Sequence, residues 1–379
     1  MPTLKSPPNG SLASSLTPTL EWQPSAGDAS YGLQVATDQS FSNLVVEERG
    51  LKEASYVVPS SKLGYGKTYY WRVGAGIAGL KSGWSPSWSF MTPTRPSPNL
   101  SETQDGVETD HLIVRDITGQ LSKERVREVA ITAEEALMQI LEFWSVQPGV
   151  EKYGKILVEL QKPIQNPKYG EIYSAEFFLR KKDSSVYRAV PVQGAAKEPQ
   201  HMVQKLLHAV MYNPDKLIRN MISINMEIQF GNYLAFPNCG FSNDAWVLAV
   251  RQTNVYVPLE QLGPDNESWG MTFQGETVIV NDMNKQQTMY AEAGSFGQYL
   301  LDTYGVQKVK AFQELSLQKE RPWVEVFGLT LSQLETNWIQ ALESIQEVNE
   351  QDVTILVELI SSNGAGAARF KAQGLRSQE

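Results

Sequence analysis

The stretch Tyr31-Gly-Leu-Gln-Val-Ala-Thr37 decides the fold of the first hundred residues. Its larger apolar residues, Tyr31, Leu33 and Val35, fall at every second position and therefore lie on one face of an extended segment. A second stretch, Lys67-Thr-Tyr-Tyr-Trp-Arg-Val-Gly-Ala75, reads as another strand of this kind. The sequence therefore predicts β-structure at this end of the chain.

Further short segments surround these two strands at intervals of about 8–12 residues, separated by glycine and proline. They are Thr19-Leu-Glu-Trp22, Leu44-Val-Val-Glu-Glu48, Ser55-Tyr-Val-Val58 and Trp88-Ser-Phe90. Such spacing is typical of an antiparallel sandwich. We expect Trp22 and Trp71 in its core, with stacking of an exposed tryptophan on a sugar ring as the alternative.

Residues 2–93 resemble the fibronectin type III domain of bacterial surface proteins. The resemblance depends on Pro18-Thr-Leu-Glu-Trp22, Thr68-Tyr-Tyr-Trp-Arg-Val73 and Trp88-Ser-Phe-Met-Thr92, together with the stretch that begins at Tyr31. It implies an all-β fibronectin type III sandwich over residues 1–93, which in that family serves mostly as a spacer or adhesive module.

A change in composition follows this domain. Pro93-Thr-Arg-Pro-Ser-Pro98 has three prolines in six residues, and polar residues without periodicity follow it. We therefore predict a semi-rigid linker over residues 94–108 and a second domain over residues 109–360. The tail, residues 361–379, is rich in glycine, alanine and serine and is expected to be flexible.

The second domain has mixed α and β patterning. Ser122 is a good N-cap for a helix whose apolar residues recur at helical spacing from Val126 to Leu141. Residues 155–160 and 172–179 read as strands, and a helix is expected between Pro199 and Pro214. From Met289 helical segments dominate, at 294–304, 308–318 and 332–347.

The helix between the two prolines contains Gln200-His-Met-Val-Gln-Lys-Leu-Leu-His208, at the place where a gluzincin-type zinc peptidase has His-Glu-x-x-His. Two later stretches also resemble that family, Ala293-Gly-Ser-Phe-Gly-Gln-Tyr-Leu-Leu-Asp-Thr-Tyr-Gly305 and Val326-Phe-Gly-Leu-Thr-Leu-Ser-Gln-Leu-Glu-Thr-Asn-Trp338. The resemblance implies an α+β gluzincin-like domain with a helical C-terminal half.

The residues that such a peptidase needs are replaced. Gln204 stands at a zinc-ligand position and Lys205 at the position of the general-base glutamate, while His208 remains. The chemistry requires two imidazoles one helical turn apart and a carboxylate that takes a proton from the metal-bound water. Asp244 is at best a loose counterpart of the third ligand. We therefore expect no metal, no cofactor and no peptidase activity.

Two interpretations compete at the remaining site residues. Cys239 with His208 and Asp244 suggests a cysteine nucleophile, but a lone cysteine is more often a buried core residue. Phe241 and Trp246, with His208 and Asp244 as hydrogen-bonding partners, suggest an aromatic groove for a peptide or glycan, while the plainer interpretation places them in the core. His201 lies about 10 Å from His208 along a helix, too far for both to bind one metal.

Composition excludes some partners. The net charge of −9 argues against nucleic acid, and no apolar run reaches the length of a membrane span. The chain opens without a charged-then-apolar signal segment, so it is either intracellular or a processed or truncated form. We expect the second, an extracellular or cell-surface bacterial protein, because the first domain resembles a mainly extracellular class.

The predicted function is non-catalytic: a fibronectin-like spacer that bears a pseudo-peptidase domain, with a protein or glycan ligand or self-assembly. One alternative is an active hydrolase that uses Cys239 or an atypical metal site. The other is a structural subunit of a surface layer or filament.

Overall fold

The computed structural model describes residues 1–25, 30–41, 44–59, 62–77, 80–81, 83–94, 97–104, 106–166, 168–172, 177–182, 185–275, 277–344 and 350–377. The chain divides into two compact units, Met1–Ser97 and Pro98–Glu379. The first is rich in β-sheet, and the C-terminal half of the chain is helical. No described helix is long and apolar enough to cross a membrane.

The first unit contains nine described strands. They are β1 (Leu4–Ser6), β2 (Ser11–Leu12), β3 (Thr19–Trp22), β4 (Ser30–Ala36), β5 (Leu44–Leu51), β6 (Ser55–Val57), β7 (Thr68–Ile77), β8 (Leu80–Lys81) and β9 (Trp88–Met91). One sheet has the order β1-β3-β6 and the other β2-β9-β7-β4-β5, with β8 on β7. Each strand that the sequence predicts in this unit is present.

The two sheets of the first unit enclose one apolar core. Leu33 and Val35 of β4 are fully buried, and Tyr31 is almost so, because alternate residues of a strand point to the same face. Trp22 of β3 contacts Tyr31 edge-on, with ring centroids 5.3 Å apart, and so joins the two sheets. Trp22 and Trp71 are 2% and 0% exposed, which confirms that both are core residues.

The second unit is built on a mixed sheet of order β10-β11-β12-β13-β17-β16. Its strands are β10 (Ser101–Thr103), β11 (Gly106–Glu108), β12 (Leu112–Asp116), β13 (Ile156–Gln161), β16 (Phe178–Lys182) and β17 (Ser185–Gln193). Strands β12, β13 and β17 are parallel, so their carboxyl ends meet at one edge. Two hairpins complete the described strands, β14 (Ile164–Asn166) with β15 (Gly170–Ile172), and β18 (Met271–Gln274) with β19 (Thr277–Val280).

The helices of the second unit follow the strands and then dominate the chain. They are α1 (Lys123–Trp144), α2 (Val150–Tyr153), α3 (Met202–Val210), α4 (Lys216–Phe230), α5 (Asn243–Gln252), α6 (Met283–Tyr304), α7 (Val306–Ser316), α8 (Trp323–Phe327), α9 (Leu331–Ser344), α10 (Glu350–Asn363) and α11 (Ala365–Arg376). The side chain of Ser122 caps α1 by accepting a hydrogen bond from the backbone of Arg125, as the sequence predicts.

Helix α3 is the central element of this unit. It packs against α1, α4 and β17, and all its residues except the last are buried. Helix α4 crosses α6 closely at Gly297, where an added Cβ would lie 1.7 Å from the carbonyl oxygen of Met221. Gly297, the second glycine of the Gly-Ser-Phe-Gly stretch, is therefore required, because any side chain there would keep the two helix backbones apart.

Two predicted boundaries are corrected by the structure. The predicted linker, residues 94–108, extends too far, because β10 and β11 lie within it and pair with the sheet of the second unit. The predicted flexible tail, residues 361–379, contains the end of α10 and all of α11. Ala365, Ala368 and Ala372 of α11 are buried, so this small-residue helix packs closely on its neighbours. The predicted strand 172–179 is only partly testable, since residues 173–176 lie outside the described residues.

Candidate functional site

Lys205, at the position where a gluzincin has its general base, is a buried anchor in this structure. Its side chain is 0% exposed, and its Nζ donates hydrogen bonds to the carbonyl oxygen of Pro191 and to Oε1 of Gln193, the latter at 3.0 Å. Both acceptors lie at the end of β17. The ammonium therefore ties the first turn of α3 to the sheet, and a lysine at this position cannot take a proton from water as the glutamate of a gluzincin does.

Gln204 and His208 lie in the same buried helix. The backbone N–H of Gln204 donates to a carboxylate oxygen of Glu227 on α4 at 3.0 Å. Neither polar atom of the Gln204 side chain has a hydrogen-bond partner among the described residues. Burial raises the pKa of Glu227. His208 is 1% exposed, so the one retained histidine of the motif lies in the interior.

The residues at the ligand positions of the gluzincin motif lie on two different helices in this structure, α3 and α5. Within the described ranges, no group of three or more His, Cys, Asp or Glu side chains is placed to hold a metal ion. Asp244, the proposed counterpart of the third ligand, lies on α5, where its carboxylate accepts a hydrogen bond from Ser295 of α6 at 2.5 Å. No residue of α3 is among its hydrogen-bond partners in the described part of the chain.

The alternative of a cysteine nucleophile is not supported by the geometry. Cys239 is 2% exposed, and burial raises the pKa of its thiol to about 12. It makes no hydrogen bond to an imidazole within the described chain, and Asp244 is engaged by Ser295. Since a nucleophilic cysteine needs a lowered pKa and an adjacent base, Cys239, His208 and Asp244 do not form a catalytic set.

Phe241 and Trp246, the predicted aromatic contacts for a ligand, are enclosed in the core. They are 1% and 0% exposed and belong to an apolar cluster with residues of α6, α10 and α11. The indole Nε1 of Trp246 donates to the carbonyl oxygen of Asn238 at 2.8 Å, so its polar atom is satisfied internally. This agrees with the core interpretation, and these aromatics are not open to a ligand in this conformation.

A large opening of the second unit lies elsewhere. A cleft of about 740 Å³ opens at the carboxyl edge of the parallel strands. It is bounded by Thr118 after β12, by Gln161 at the end of β13 and by Gly194 to Glu198 after β17. Ligands of open α/β sheets bind at this edge, because the loops that follow the strands diverge there.

A smaller cavity of about 60 Å³ adjoins this cleft. Glu171, Gln200, Phe370 and Gln373 line both spaces, so these four residues separate them. The smaller cavity is otherwise lined by His201, Phe236, Cys239, Met271, Val278, Val280, Gln286, Tyr290 and Arg369. Burial, together with the nearby charges of Lys205 and Arg369, lowers the pKa of His201 to about 3, so this imidazole is neutral.

Helix α11, within the predicted tail, supplies one wall of both spaces. Arg369, Phe370 and Gln373 project from one stretch of the helix, and the side-chain amide of Gln373 donates to the carbonyl oxygen of Leu234 at 2.8 Å. This wall was not predicted from the sequence, which was interpreted as a flexible tail over residues 361–379. The signal was present in Ala365, Ala368 and Ala372, which recur at helical spacing and allow a close approach to Cys239.

Comparison with known proteins identifies no family for this chain. No family model matches the chain, and no curated protein matches it significantly. Solved structures of low similarity include an Fn3-like protein from Clostridium thermocellum, which is 21% identical with a TM-score of 0.20, over 25% of this chain and 94% of that one.

Two others are the selenomethionine-substituted chicken interferon gamma receptor alpha chain and the alpha-L-rhamnosidase of Streptomyces avermitilis in complex with L-rhamnose. They are 17% and 19% identical, with TM-scores of 0.19, and cover 28% and 27% of this chain. This chain spans 55% of the first and 12% of the second. The Fn3-like neighbour fits the expectation of a fibronectin type III domain. A TM-score this low supports no statement about function. The gluzincin resemblance rests on the sequence motifs alone.

Proposed function

We propose that this chain is a non-catalytic binding protein of bacterial surfaces, exported from the cell. In this proposal the first unit is a fibronectin type III spacer. The second unit is a gluzincin-like domain that has lost its chemistry and holds a ligand in the cleft at the carboxyl edge of β12, β13 and β17.

The size and the lining of the cleft are the observations that support this proposal. Its volume of about 740 Å³ falls within the range of small-ligand and peptide sites. Its described lining combines amide side chains, among them Gln120, Gln161 and Asn232, with apolar ones, such as Leu121 and Leu234. It contains no histidine or cysteine. Amides and apolar surface offer hydrogen bonds and contact area to a ligand.

The state of the degenerate motif supports binding over hydrolysis. An ammonium at position 205, bonded to the end of β17, would repel a dication and cannot act as a general base. The buried Cys239, with its raised thiol pKa, offers no alternative nucleophile. The described lining of the cleft contains neither a histidine nor a cysteine that could serve such chemistry.

An extended protein segment suits the cleft best. The amide side chains can pair with the N–H and C=O groups of a peptide backbone, and the glycine and alanines at 194–196 leave room for a chain to lie across the strand ends. Lys162 and Lys197 balance Glu171 and Glu198 in the lining, so a neutral backbone is favoured over a highly charged polymer.

The experiment compares two matched substitutions. Ala196→Arg fills the cleft from an exposed position, and Ala311→Arg adds the same side chain at an exposed position of α7, away from the cleft. Wild-type protein is screened on peptide and glycan arrays, and its binding to the best peptides is measured for both variants. We expect peptide binding that Ala196→Arg abolishes and Ala311→Arg retains.

Other results would overturn the proposal. Turnover of peptides in a broad hydrolysis screen would favour the active hydrolase. Binding only to glycans would replace the peptide as ligand. Absence of any ligand, together with concentration-dependent self-association in light scattering, would favour a structural subunit.

A further inference from the structure

We infer that the smaller cavity beside the cleft is a subsite for a carboxylate group of a bound peptide, with Arg369 as its cationic residue. This inference rests on the proposed function, because the peptide that supplies the carboxylate would lie in the larger cleft. It adds the chemical class of the group recognised, which the cleft alone does not define.

Arg369 is a buried cation that lines the smaller cavity. Its side chain is 7% exposed and lines the cavity. Its Nη1 donates to Oε1 of Gln286 at 3.1 Å, and its guanidinium lies over the rings of Phe236 and Phe370 at 4.7 and 4.8 Å. A guanidinium has five N–H donors, and a buried one without a counterion is costly. No carboxylate of the described chain lies within ion-pair distance of Arg369. The carboxylate of a bound ligand would therefore be the first counterion of this guanidinium.

Two donors beside Arg369 have only a weak acceptor among the described residues. The side-chain amide of Gln286 and the hydroxyl of Tyr290 both point to the thioether sulfur of Met271, at 3.2 and 3.7 Å. A thioether is a weak acceptor, whereas a carboxylate is a strong one. Guanidinium, amide and phenol donors therefore line one cavity, and their described hydrogen-bond acceptors are a thioether sulfur and a neutral amide oxygen.

The smaller cavity adjoins the cleft and is large enough for a carboxylate group. A volume of about 60 Å³ holds a group of a few heavy atoms, such as a carboxylate with its adjacent carbon. The one carboxylate in the described lining, that of Glu171, accepts a hydrogen bond from Gln165 at 3.3 Å. Gln200 and Gln373 lie between the cavity and the cleft, so a chain in the cleft can reach the cavity past two amides.

A first experiment uses acetate as the probe and acetamide as its neutral counterpart. The melting temperature is measured at constant ionic strength in wild-type protein, in Arg369→Gln and in Lys371→Gln. Lys371 lies two residues away on α11 and is exposed, so its substitution removes the same charge outside the cavity. We expect acetate to raise the melting temperature of wild type and Lys371→Gln by a few degrees more than that of Arg369→Gln, with no such difference for acetamide.

Tyr290→Phe provides a second variant, which keeps the ring and removes only the hydroxyl. It should lower the acetate affinity several-fold while the protein remains folded, so the inference stays testable if Arg369→Gln does not fold. Equal responses of wild type and both cavity variants to acetate would overturn the subsite.

Peptide probes then identify the source of the carboxylate. Acetyl-triglycine with a free carboxyl terminus, its amide, and an amidated acetyl-Gly-Glu-Gly are compared. Preference for the first identifies a C-terminal carboxylate, and preference for the third identifies an acidic side chain. Peptides that bind equally with and without a carboxylate, and that lose affinity in Ala196→Arg but not in Arg369→Gln, would overturn the subsite and leave the proposed cleft intact. A wild-type protein that binds none of these peptides would overturn both the subsite and the proposed peptide-binding cleft.

Discussion

Replacing Lys205 tests whether the residue at the general-base position is structural. The substitution Lys205→Met keeps most of the side-chain volume and removes the ammonium. The structure shows hydrogen bonds from Nζ to Pro191 and Gln193 at the end of β17, and a longer one of 3.5 Å to the carbonyl oxygen of Gln200. Hydrogen bonds from a charged group contribute about 1.5–3 kcal/mol each, so the two shorter ones give about 3–6 kcal/mol.

Removing the ammonium also removes the cost of burying it, so the lower end of that range is expected for Lys205→Met. Lys205→Glu restores the residue type of an active gluzincin. It should be much more destabilising, because a carboxylate would face carbonyl oxygens and would lie near Glu227, whose pKa is sensitive to the charge of Lys205. The expected order of stability is wild type, then Lys205→Met, then Lys205→Glu.

Urea unfolding followed by tryptophan fluorescence measures this order. Lys371→Met serves as the control, since this exposed lysine should change the free energy of unfolding by less than about 0.5 kcal/mol. A Lys205→Met variant as stable as wild type would refute the anchor role. A stable Lys205→Glu variant that gains zinc affinity together with Gln204→His would refute it more strongly, since the site would then tolerate its former chemistry.

Three further outcomes are expected. Trp246→Ala and Phe241→Ala should each lower the free energy of unfolding by about 3–5 kcal/mol in urea titrations, as buried rings do; a small change with lost ligand binding would return them to the site. Purified protein should contain well under one zinc per chain by elemental analysis, with no change in His208→Ala; a stoichiometric metal lost in that variant would contradict the non-catalytic proposal. Burial raises the pKa of Glu292 well above its ordinary 4.5, so the folded state keeps a proton that the unfolded state loses. The stability that this group contributes therefore falls as the pH rises from 4.5 towards the raised pKa, and Glu292→Gln should gain stability relative to wild type over that window in urea titrations at several pH values. A difference independent of pH would contradict this.

The sequence by itself determined the elements whose signals are local. Alternation of apolar residues defined the strands of the first unit, including β4 and β7, because a strand buries every second side chain. The cap at Ser122 and the apolar spacing after it defined α1. The substitutions at Gln204 and Lys205 were also visible, since a motif is read from residue identity alone.

The elements whose stability depends on distant partners were predicted wrongly from the sequence, as a linker and a tail. Residues 98–108 have little apolar character, yet β10 and β11 form because the edge of the sheet offers them hydrogen bonds. Helix α11 has small and polar residues typical of a loose tail. It is ordered because Ala365, Ala368 and Ala372 let it approach the cluster around Cys239.

Only the tertiary structure decided where the charged and aromatic groups point. A lysine or a tryptophan in a sequence is compatible with a surface, a site or a core, because its partners are far away along the chain. The end of β17 fixes Lys205 in the interior, and the helices around Trp246 enclose it. Residue 369 comes to line a cavity with residues 286 and 290 because α11 packs on α6, and that contact joins positions about 80 residues apart.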